Sequence, residues 1–229
     1  MLIISLLILA GFVYILFFSP IFKVKIIVIS GNKEISADEI RNSLVCKNIF
    51  LTTEKEVENE LFKKFPKILS LEIKRNLFER KLEINLKERE EMGIVCRADK
   101  CFYIDQEGVV FEGAPQTSGS LIILIRDYSQ RDYKLGDKVF DKTILDNVST
   151  VKEELLSGFN FRVASFDIDN FPPEELRVMT SEGWYILFSL KRDVKSQLQA
   201  LGMVLEEKIK NRIGLQYIDL RIENRVYYK

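Results

Sequence analysis

The sequence predicts an α+β protein in three parts: an apolar N-terminal helix, a small domain with the order β-α-α-β-β, and a mixed, β-dominated domain with two longer helices. Three observations predict this fold class. Residues 1–18 carry no charged side chain. Residues 22–90 combine capped helical segments with segments that alternate between apolar and polar residues, and residues 91–229 contain many short apolar runs bounded by turn residues.

Composition excludes several classes of function. The 34 Lys and Arg balance 34 Asp and Glu, so the net charge gives no general reason to bind nucleic acid. With no histidine, the chain cannot form a Ser-His-Asp triad, a Cys-His pair or a histidine metal site. Its eleven glycines form no phosphate-binding loop. We therefore expect no cofactor, no metal and no small-molecule substrate.

Residues 1–20 are predicted to be a membrane anchor. Eighteen helical residues span about 27 Å, close to the thickness of a hydrocarbon core, and Ser19-Pro20 interrupts the helix. A cleaved signal peptide is the alternative, but the sequence around Ser19 is a poor cleavage site. The charges beside the helix predict how it is oriented in the membrane. Lys23 and Lys25 follow the helix, so the positive-inside rule would leave the rest of the chain in the cytoplasm.

The small domain is assigned to residues 22–90. A strand over 22–30 ends at a Gly-Asn turn, a short helix covers 37–44, and Thr53 with Glu56 forms a capping box for a second helix that Pro66 ends. Two alternating strands close the domain. In the second strand, apolar residues face inward (Leu82, Ile84 and Leu86) and polar residues face outward (Glu83, Asn85 and Lys87).

The larger domain is assigned to residues 91–229. Its predicted strands cover 93–97, 101–105, 109–112, 121–125, 161–168, 176–180, 184–190, 217–221 and 225–229. The two predicted helices cover 141–157 and 193–212, and Asp193 is the expected N-cap of the second helix.

Several phrases, in this order, resemble the FtsQ/DivIB family of bacterial cell-division proteins. The small domain contains V-x-x-G-N (Val28 to Asn32), F-P-K-I and L-E-I-N-L-K-E-R, as in the polypeptide-transport-associated (POTRA) domain. The larger domain contains F-Y-I-D-Q-E-G-V-V-F from Phe102 and Y-I-D-L-R-x-x-N-R-V-Y from Tyr217.

The resemblance implies a non-catalytic, single-pass scaffold of the divisome at the septum, with its bulk outside the cytoplasm. Such a scaffold recruits and regulates other division proteins, of FtsB and FtsL type and of FtsK or FtsW type, ahead of septal peptidoglycan synthesis. Two alternatives stay open. One is a transport or assembly factor that carries a POTRA domain.

The other alternative is a membrane-anchored Ser-Lys hydrolase of signal-peptidase type. Its candidate pairs are Ser70 with Lys74 and Ser189 with Lys191, but each lysine lies on an alternating segment where it should face solvent. We therefore predict no enzyme and no catalytic residue.

The three cysteines suggest one disulfide. Cys46 is expected to be a small buried core residue. Cys96 and Cys101 flank a four-residue hairpin tip, and opposed strand positions are close enough to form a bridge, with two free thiols as the alternative. A bridge would favour a location outside the cytoplasm.

Two strands are predicted to bind partners by accepting an added strand. The first is the last strand of the small domain, which we expect at a sheet edge, with Glu83, Asn85 and Lys87 facing out. The second is the C-terminal strand of Arg225, Val226, Tyr227, Tyr228 and Lys229. In the family, this last strand accepts a segment of FtsB.

Overall fold

The structure is a computed structural model that describes residues 2–44, 48–209 and 211–229, with two compact units at residues 1–89 and 90–229. The α+β class is confirmed: a small three-stranded unit precedes a larger unit built on a nine-stranded sheet. Cys46, predicted to be buried, lies outside the described residues.

The first unit begins with helix α1 (Leu2–Phe18), followed by a single 3-10 turn (Pro20–Phe22). The elements after it are β1 (Ile26–Ser30), α2 (Ala37–Leu44), α3 (Glu54–Lys64), β2 (Ile68–Asn76) and β3 (Lys81–Glu88). Among the described residues, no helix combines the length and the apolar character that crossing a bilayer requires.

Helix α3 begins as predicted. Thr53 Oγ1 accepts the N–H of Glu56 at 3.2 Å, and the Glu56 carboxylate accepts the N–H of Thr53 at 2.9 Å, which completes the capping box. Val57 and Leu61 on α3 join Ile40 and Leu44 on α2 in the core beneath the sheet, where they meet Leu82, Ile84 and Leu86 of β3.

The first strand is shorter than predicted. Residues 20–25 bind other parts of the unit before β1 begins: the carbonyl of Phe22 accepts the N–H of Ile49, and the N–H groups of Lys25 and Ile26 both donate to the carbonyl of Arg80. These bonds hold the segment in place but do not form a regular ladder, so the regular pairing with β3 runs only from Ile26 to Ser30.

Strand β3 lies in the middle of the small sheet, whose order is β1-β3-β2. It pairs in parallel with β1 and in antiparallel with β2. The expectation that β3 forms an edge is therefore wrong. Gly31 allows the tight exit from β1, since a side chain there would collide with the carbonyl of Leu86 on β3.

The second unit contains one mixed sheet with the order β12-β11-β10-β9-β8-β7-β4-β5-β6. Its strands are β4 (Gly93–Arg97), β5 (Lys100–Ile104), β6 (Val110–Ala114), β7 (Ile123–Asp127), β8 (Val163–Ile168), β9 (Glu175–Thr180), β10 (Tyr185–Ser189), β11 (Tyr217–Asp219) and β12 (Tyr227–Tyr228). The two edges are therefore β6 and β12.

Two helices, α4 (Lys142–Ser157) and α5 (Val194–Glu207), pack over one face of this sheet. Val148, Val151 and Leu155 of α4 are fully buried in the shared core with Trp184, Phe166 and Phe188 from the strands. Asp193 caps α5 as predicted, accepting the N–H of Ser196 at 2.7 Å.

Helix α5 ends at Glu207, five residues before the predicted end at Arg212. The N–H groups of Lys208 and Ile209 both donate to the carbonyl of Val204, which closes the last turn. Ile209 is thereby buried against the core beyond the end of the helix. The apolar spacing predicted that Ile209 is buried, but not that the chain leaves the helix before it.

Candidate partner-binding site

Strand β12 has one side bonded and one side open. Lys229 donates its N–H to the carbonyl of Tyr217 at 3.2 Å, and its own carbonyl accepts the N–H of Tyr217 at 3.3 Å. Tyr228 stands opposite Ile218 in the same antiparallel ladder. Because bonded and non-bonded pairs alternate in such a ladder, the N–H and C=O of Tyr228 point away from β11 towards the open side of the sheet.

The side chains of β12 divide between the two faces of the sheet. Tyr228 is opposite the buried Ile218 and so lies on the helix-covered face, as does the half-buried Val226, which packs on the core. Tyr227 is opposite Asp219 and lies on the other face. Tyr227 and Tyr228 expose 46% and 48% of their surface, so both rings remain available to a partner.

On the face opposite the helices, polar and aromatic contacts fix β11 to its neighbours. Tyr185 and Tyr217 stack with ring centroids 5.7 Å apart. Arg221 donates to both carboxylate oxygens of Asp219, at 2.9 and 2.7 Å, and to Glu175 at 2.7 Å. These bonds hold the strand that precedes the edge in a fixed position.

The same pairing shifts two ionisation equilibria. The hydrogen bonds between Asp219 and Arg221 lower the pKa of Asp219, although burial of the carboxylate acts in the opposite direction. The bond to Asp219 is also the largest contribution that raises the pKa of Arg221 above its usual value. Both groups are therefore charged across the physiological pH range, and the ion pair between Asp219 and Arg221 does not depend on pH there.

A groove of about 370 Å³ lies on the helix-covered face beside the edge, between α5 and residues 220–226. Met203 of α5 and Ile222 line it and expose 59% and 49% of their surface, and Val226 closes it next to β12. A strand added to β12 would place alternate side chains beside this groove.

The other predicted site has a different geometry. Glu83, Asn85 and Lys87 are exposed as predicted, and Asn85 accepts a hydrogen bond from the Ser30 hydroxyl at 3.3 Å while Glu83 pairs with Lys81. However, both sides of the β3 backbone are already bonded to β1 and β2. These three residues offer a side-chain surface and no free edge.

Cys96 and Cys101 form a disulfide across the β4–β5 hairpin, where they are directly opposite each other with Cα atoms 4.1 Å apart. The bridge lies beside Ile94 and Leu124 in a small apolar cluster on the sheet. Within the described ranges, no group of three or more Cys, Asp or Glu side chains is arranged to hold a metal ion.

Comparison with known proteins places the chain in a family. Residues 22–89 match the FtsQ-type POTRA domain, and residues 94–221 match the C-terminal domain of the cell division protein FtsQ/DivIB. The chain belongs to the FtsQ/DivIB family.

Two cell division proteins of this family show the extent of the likeness. The chain is 25% identical to DivIB of Clostridium tetani over 212 residues, which cover 89% of this chain and 77% of that protein. It is 23% identical to DivIB of Clostridium acetobutylicum over 214 residues, which cover 91% and 83%. Among solved structures, a domain of DivIB from Geobacillus stearothermophilus matches with a TM-score of 0.33 at 13% identity, covering 55% of this chain and 98% of that domain.

Membership of the FtsQ/DivIB family makes the hydrolase alternative weak, and the candidate pairs fit it poorly. Ser70 and Lys74 are both exposed on β2, and Lys191 is exposed and paired with Glu174 at 2.7 Å. Burial lowers the pKa of Lys152, whose Nζ donates to the carbonyl of Leu121 at 2.9 Å, but this lysine belongs to neither pair. A Ser-Lys dyad needs a buried lysine next to its serine.

Two residues that line the groove beside the FtsQ/DivIB-type last strand were not predicted from the sequence. Met203 lies off the apolar stripe of α5, and Ile222 lies in a turn, so neither belongs to a periodic pattern. An apolar residue outside the stripe of an amphipathic helix is the only sequence signal that pointed to Met203.

Proposed function

We propose that the chain is a non-catalytic, single-pass scaffold of the divisome that recruits and regulates division proteins at the septum. In this proposal, an FtsB- or FtsL-type partner adds a strand to β12, and membrane proteins of FtsK or FtsW type make further contacts. The family membership supports a role in cell division, and the open edge supports strand addition.

The observation that carries the proposal is the outward direction of the Tyr228 N–H and C=O at the end of the nine-stranded sheet. An exposed edge of this kind is a template for pairing with another chain. Around it lie exposed Tyr227, the basic residues Arg225 and Lys229, and the groove beside α5. We therefore expect an extended segment with apolar and acidic side chains.

Proline at position 228 tests strand addition directly. Tyr228→Pro removes the N–H that an added strand would use and leaves the bonds between Lys229 and Tyr217 intact. The matched control is Tyr228→Ala, which removes the same ring but keeps the N–H. Titration of the full chain with the extracytoplasmic segment of an FtsB-type partner should show weaker binding for Tyr228→Pro than for Tyr228→Ala. Equal affinities of two folded variants would contradict strand addition at this edge.

The membrane topology is part of the same proposal. The uncharged α1 is the proposed anchor, with residues 22–229 outside the cytoplasm. The Cys96–Cys101 disulfide supports this side, since disulfides persist mainly in oxidising compartments, while Lys23 and Lys25 argue for the other side. A reporter that is active only outside the cytoplasm, fused after Lys229, should be active. Activity of a cytoplasmic reporter alone would overturn this topology.

We also propose a weaker contact of the small domain through the exposed side chains of Glu83, Asn85 and Lys87. It depends on the outer face of the sheet and on no backbone edge. Replacing these three residues by alanine should reduce the recovery of division partners while the domain stays folded. Unchanged recovery would remove this surface from the proposal.

A further inference from the structure

We propose that the small domain touches the membrane surface through an apolar rim formed by Ile21, Phe50, Leu51, Leu77 and Phe78. The rim would sink into the interface between lipid headgroups and acyl chains. The inference rests on the proposed anchoring by α1, and it adds a second, separate contact with the bilayer, which would fix the orientation of the domain at the membrane.

Backbone and side-chain bonds hold the parts of the rim together. The Arg80 guanidinium donates to the carbonyl of Ile21 at 2.5 Å, which joins the β2–β3 hairpin tip to the segment that follows α1. The carbonyl of Arg80 also accepts the N–H groups of Lys25 and Ile26, at 2.9 and 3.3 Å. The rings of Phe22 and Phe50 meet edge to face, with centroids 5.1 Å apart.

The rim lies at the end of the domain from which α1 emerges. Asn48 donates its side-chain amide to the carbonyls of Leu16 and Phe17, at 3.0 and 2.9 Å, and so caps the last turn of α1. The neighbouring residue Ile49 donates its N–H to the carbonyl of Phe22 at 2.9 Å. The end of the uncharged helix and the rim are therefore held together by direct hydrogen bonds.

The rim exposes a large apolar surface, which indicates that it binds an apolar partner. Phe78 is fully exposed, and the other four rim residues expose between 39% and 62% of their surface. The Asn76 side chain accepts the N–H groups of Phe78 and Glu79, both at 3.1 Å, so the tip is a fixed turn that presents the ring to solvent. Hairpin tips usually carry polar residues, and two adjacent apolar side chains at a tip suggest a binding surface.

Position and charge identify the occupant as lipid. A bilayer that receives α1 would necessarily lie at this end of the domain, so the rim is continuous with the proposed anchor. Lys23 and Lys25, both exposed on the same segment, would lie at headgroup level and attract anionic lipids, with Glu79 as an opposing charge at the tip. Phe and Leu beside Lys is the composition of surfaces that lie in the membrane interface.

Quenching of a tryptophan reporter by brominated lipids tests the rim in the full chain. The natural Trp184 is buried in the larger unit and provides a constant background. Phe78→Trp reports contact of the rim with lipid, and Phe12→Trp reports contact of α1. The matched control in the same domain is Lys87→Trp, at an exposed position about 20 Å along β3 from Lys81. Each variant is reconstituted in vesicles of phosphatidylglycerol and phosphatidylcholine.

We expect bromine near the headgroups to reduce the emission of Phe78→Trp more than bromine near the chain ends, and to leave Lys87→Trp unchanged. Quenching of Phe12→Trp without quenching of Phe78→Trp would overturn the rim and leave the anchor in place. Quenching of neither reporter would overturn both. A blue shift of Phe78→Trp emission without quenching would show that protein covers the rim, which also contradicts the proposal.

Discussion

Strands β3 and β12 are each the last strand of their unit in the chain, yet one is enclosed and the other is open. β3 is bonded on both sides, in parallel to β1 and in antiparallel to β2. Among the described strands, β12 is bonded to β11 alone, and it is an edge of the nine-stranded sheet. Both strands carry exposed polar or aromatic side chains, so side-chain pattern alone does not distinguish them.

Order along the chain therefore does not determine the order of strands in a sheet. In the small unit, α2 and α3 follow β1 and carry the chain to the far side, so that β2 takes the outer position and β3 then fills the gap between β2 and β1. A parallel pair needs such a crossover connection, whereas an antiparallel pair needs only a turn. In the large unit, β12 follows β11 by a short turn, and within the described part of the chain its outer side is not paired with another strand.

The largest effect should come from proline at position 85. Asn85 lies between Ser30 of β1 and Glu72 of β2, so its backbone N–H faces a paired strand on either side. Asn85→Pro therefore removes a donor of the ladder, leaves its acceptor unpaired and introduces a steric clash. We expect the small unit to lose about 3 kcal/mol, since an orphaned buried group alone costs about 1–3 kcal/mol. Amide hydrogen exchange of the full chain should show lost protection in β1, β2 and β3.

Tyr228→Pro is the matched substitution at the open edge and should leave amide protection of β10 and β11 unchanged. Trp184 emission provides an internal control for Asn85→Pro, since this residue is buried in the larger unit. Similar loss of protection for the two proline variants would show that the contrast between the two strands is wrong.

Glu88, the last residue of β3, helps to hold the loop after β1 against this strand. Its buried carboxylate accepts the N–H groups of Lys33, Glu34 and Ile35, and so holds the loop that leaves β1 against the end of β3. Burial would raise the pKa of Glu88, but these three donors and the nearby Lys67 lower it below its usual value. Glu88→Gln should destabilise the small unit by about 2 kcal/mol, since a hydrogen bond to a charged group contributes about 1.5–3 kcal/mol.

The lowered pKa also sets the direction of the pH dependence. A carboxyl group with a lower pKa in the folded state adds stability above its unfolded pKa, and this stability is lost as the pH falls through the folded value. Protection of the β1 and β3 amides against hydrogen exchange should therefore decrease below about pH 4.5 in the native chain, near the ordinary pKa of a glutamate. Glu88→Gln should make that decrease smaller. An equal acid response in both proteins would contradict the assigned role of Glu88.

The sequence predicted most of the elements because their signals are local. The capping box of Thr53 and Glu56, the Asp193 cap, and the alternation of Leu82, Ile84 and Leu86 each depend on residues a few positions apart. The order of the strands could not be predicted in this way. The position of β3 depends on its pairing with β1, more than fifty residues earlier in the chain, and no local pattern records that pairing.

The candidate site was predicted in part for the same reason. The alternation of residues 225–229 is a local pattern that assigns Tyr227 and Tyr228 to opposite faces of a strand, and the two rings do lie on opposite faces of the sheet. The groove beside them is formed by Met203 and Ile222, which come from a helix and a turn that are distant in the chain. Only the tertiary fold brings such residues together.

The smallest effect that still tests the open edge is the loss of one exposed ring. Tyr227 lies on the face opposite the helices, beside Asp219, and exposes nearly half of its surface, so Tyr227→Ala removes little core packing. If this ring is a binding hot spot, the variant should bind the FtsB-type segment more weakly by about 1–3 kcal/mol with almost unchanged stability. Tyr128→Ala, at a similarly exposed tyrosine after β7, is the matched control and should keep full affinity. Truncation after Asn224 removes the whole strand and should abolish binding. Full affinity of both Tyr227→Ala and the truncated chain, with both still folded, would move the partner site away from β12.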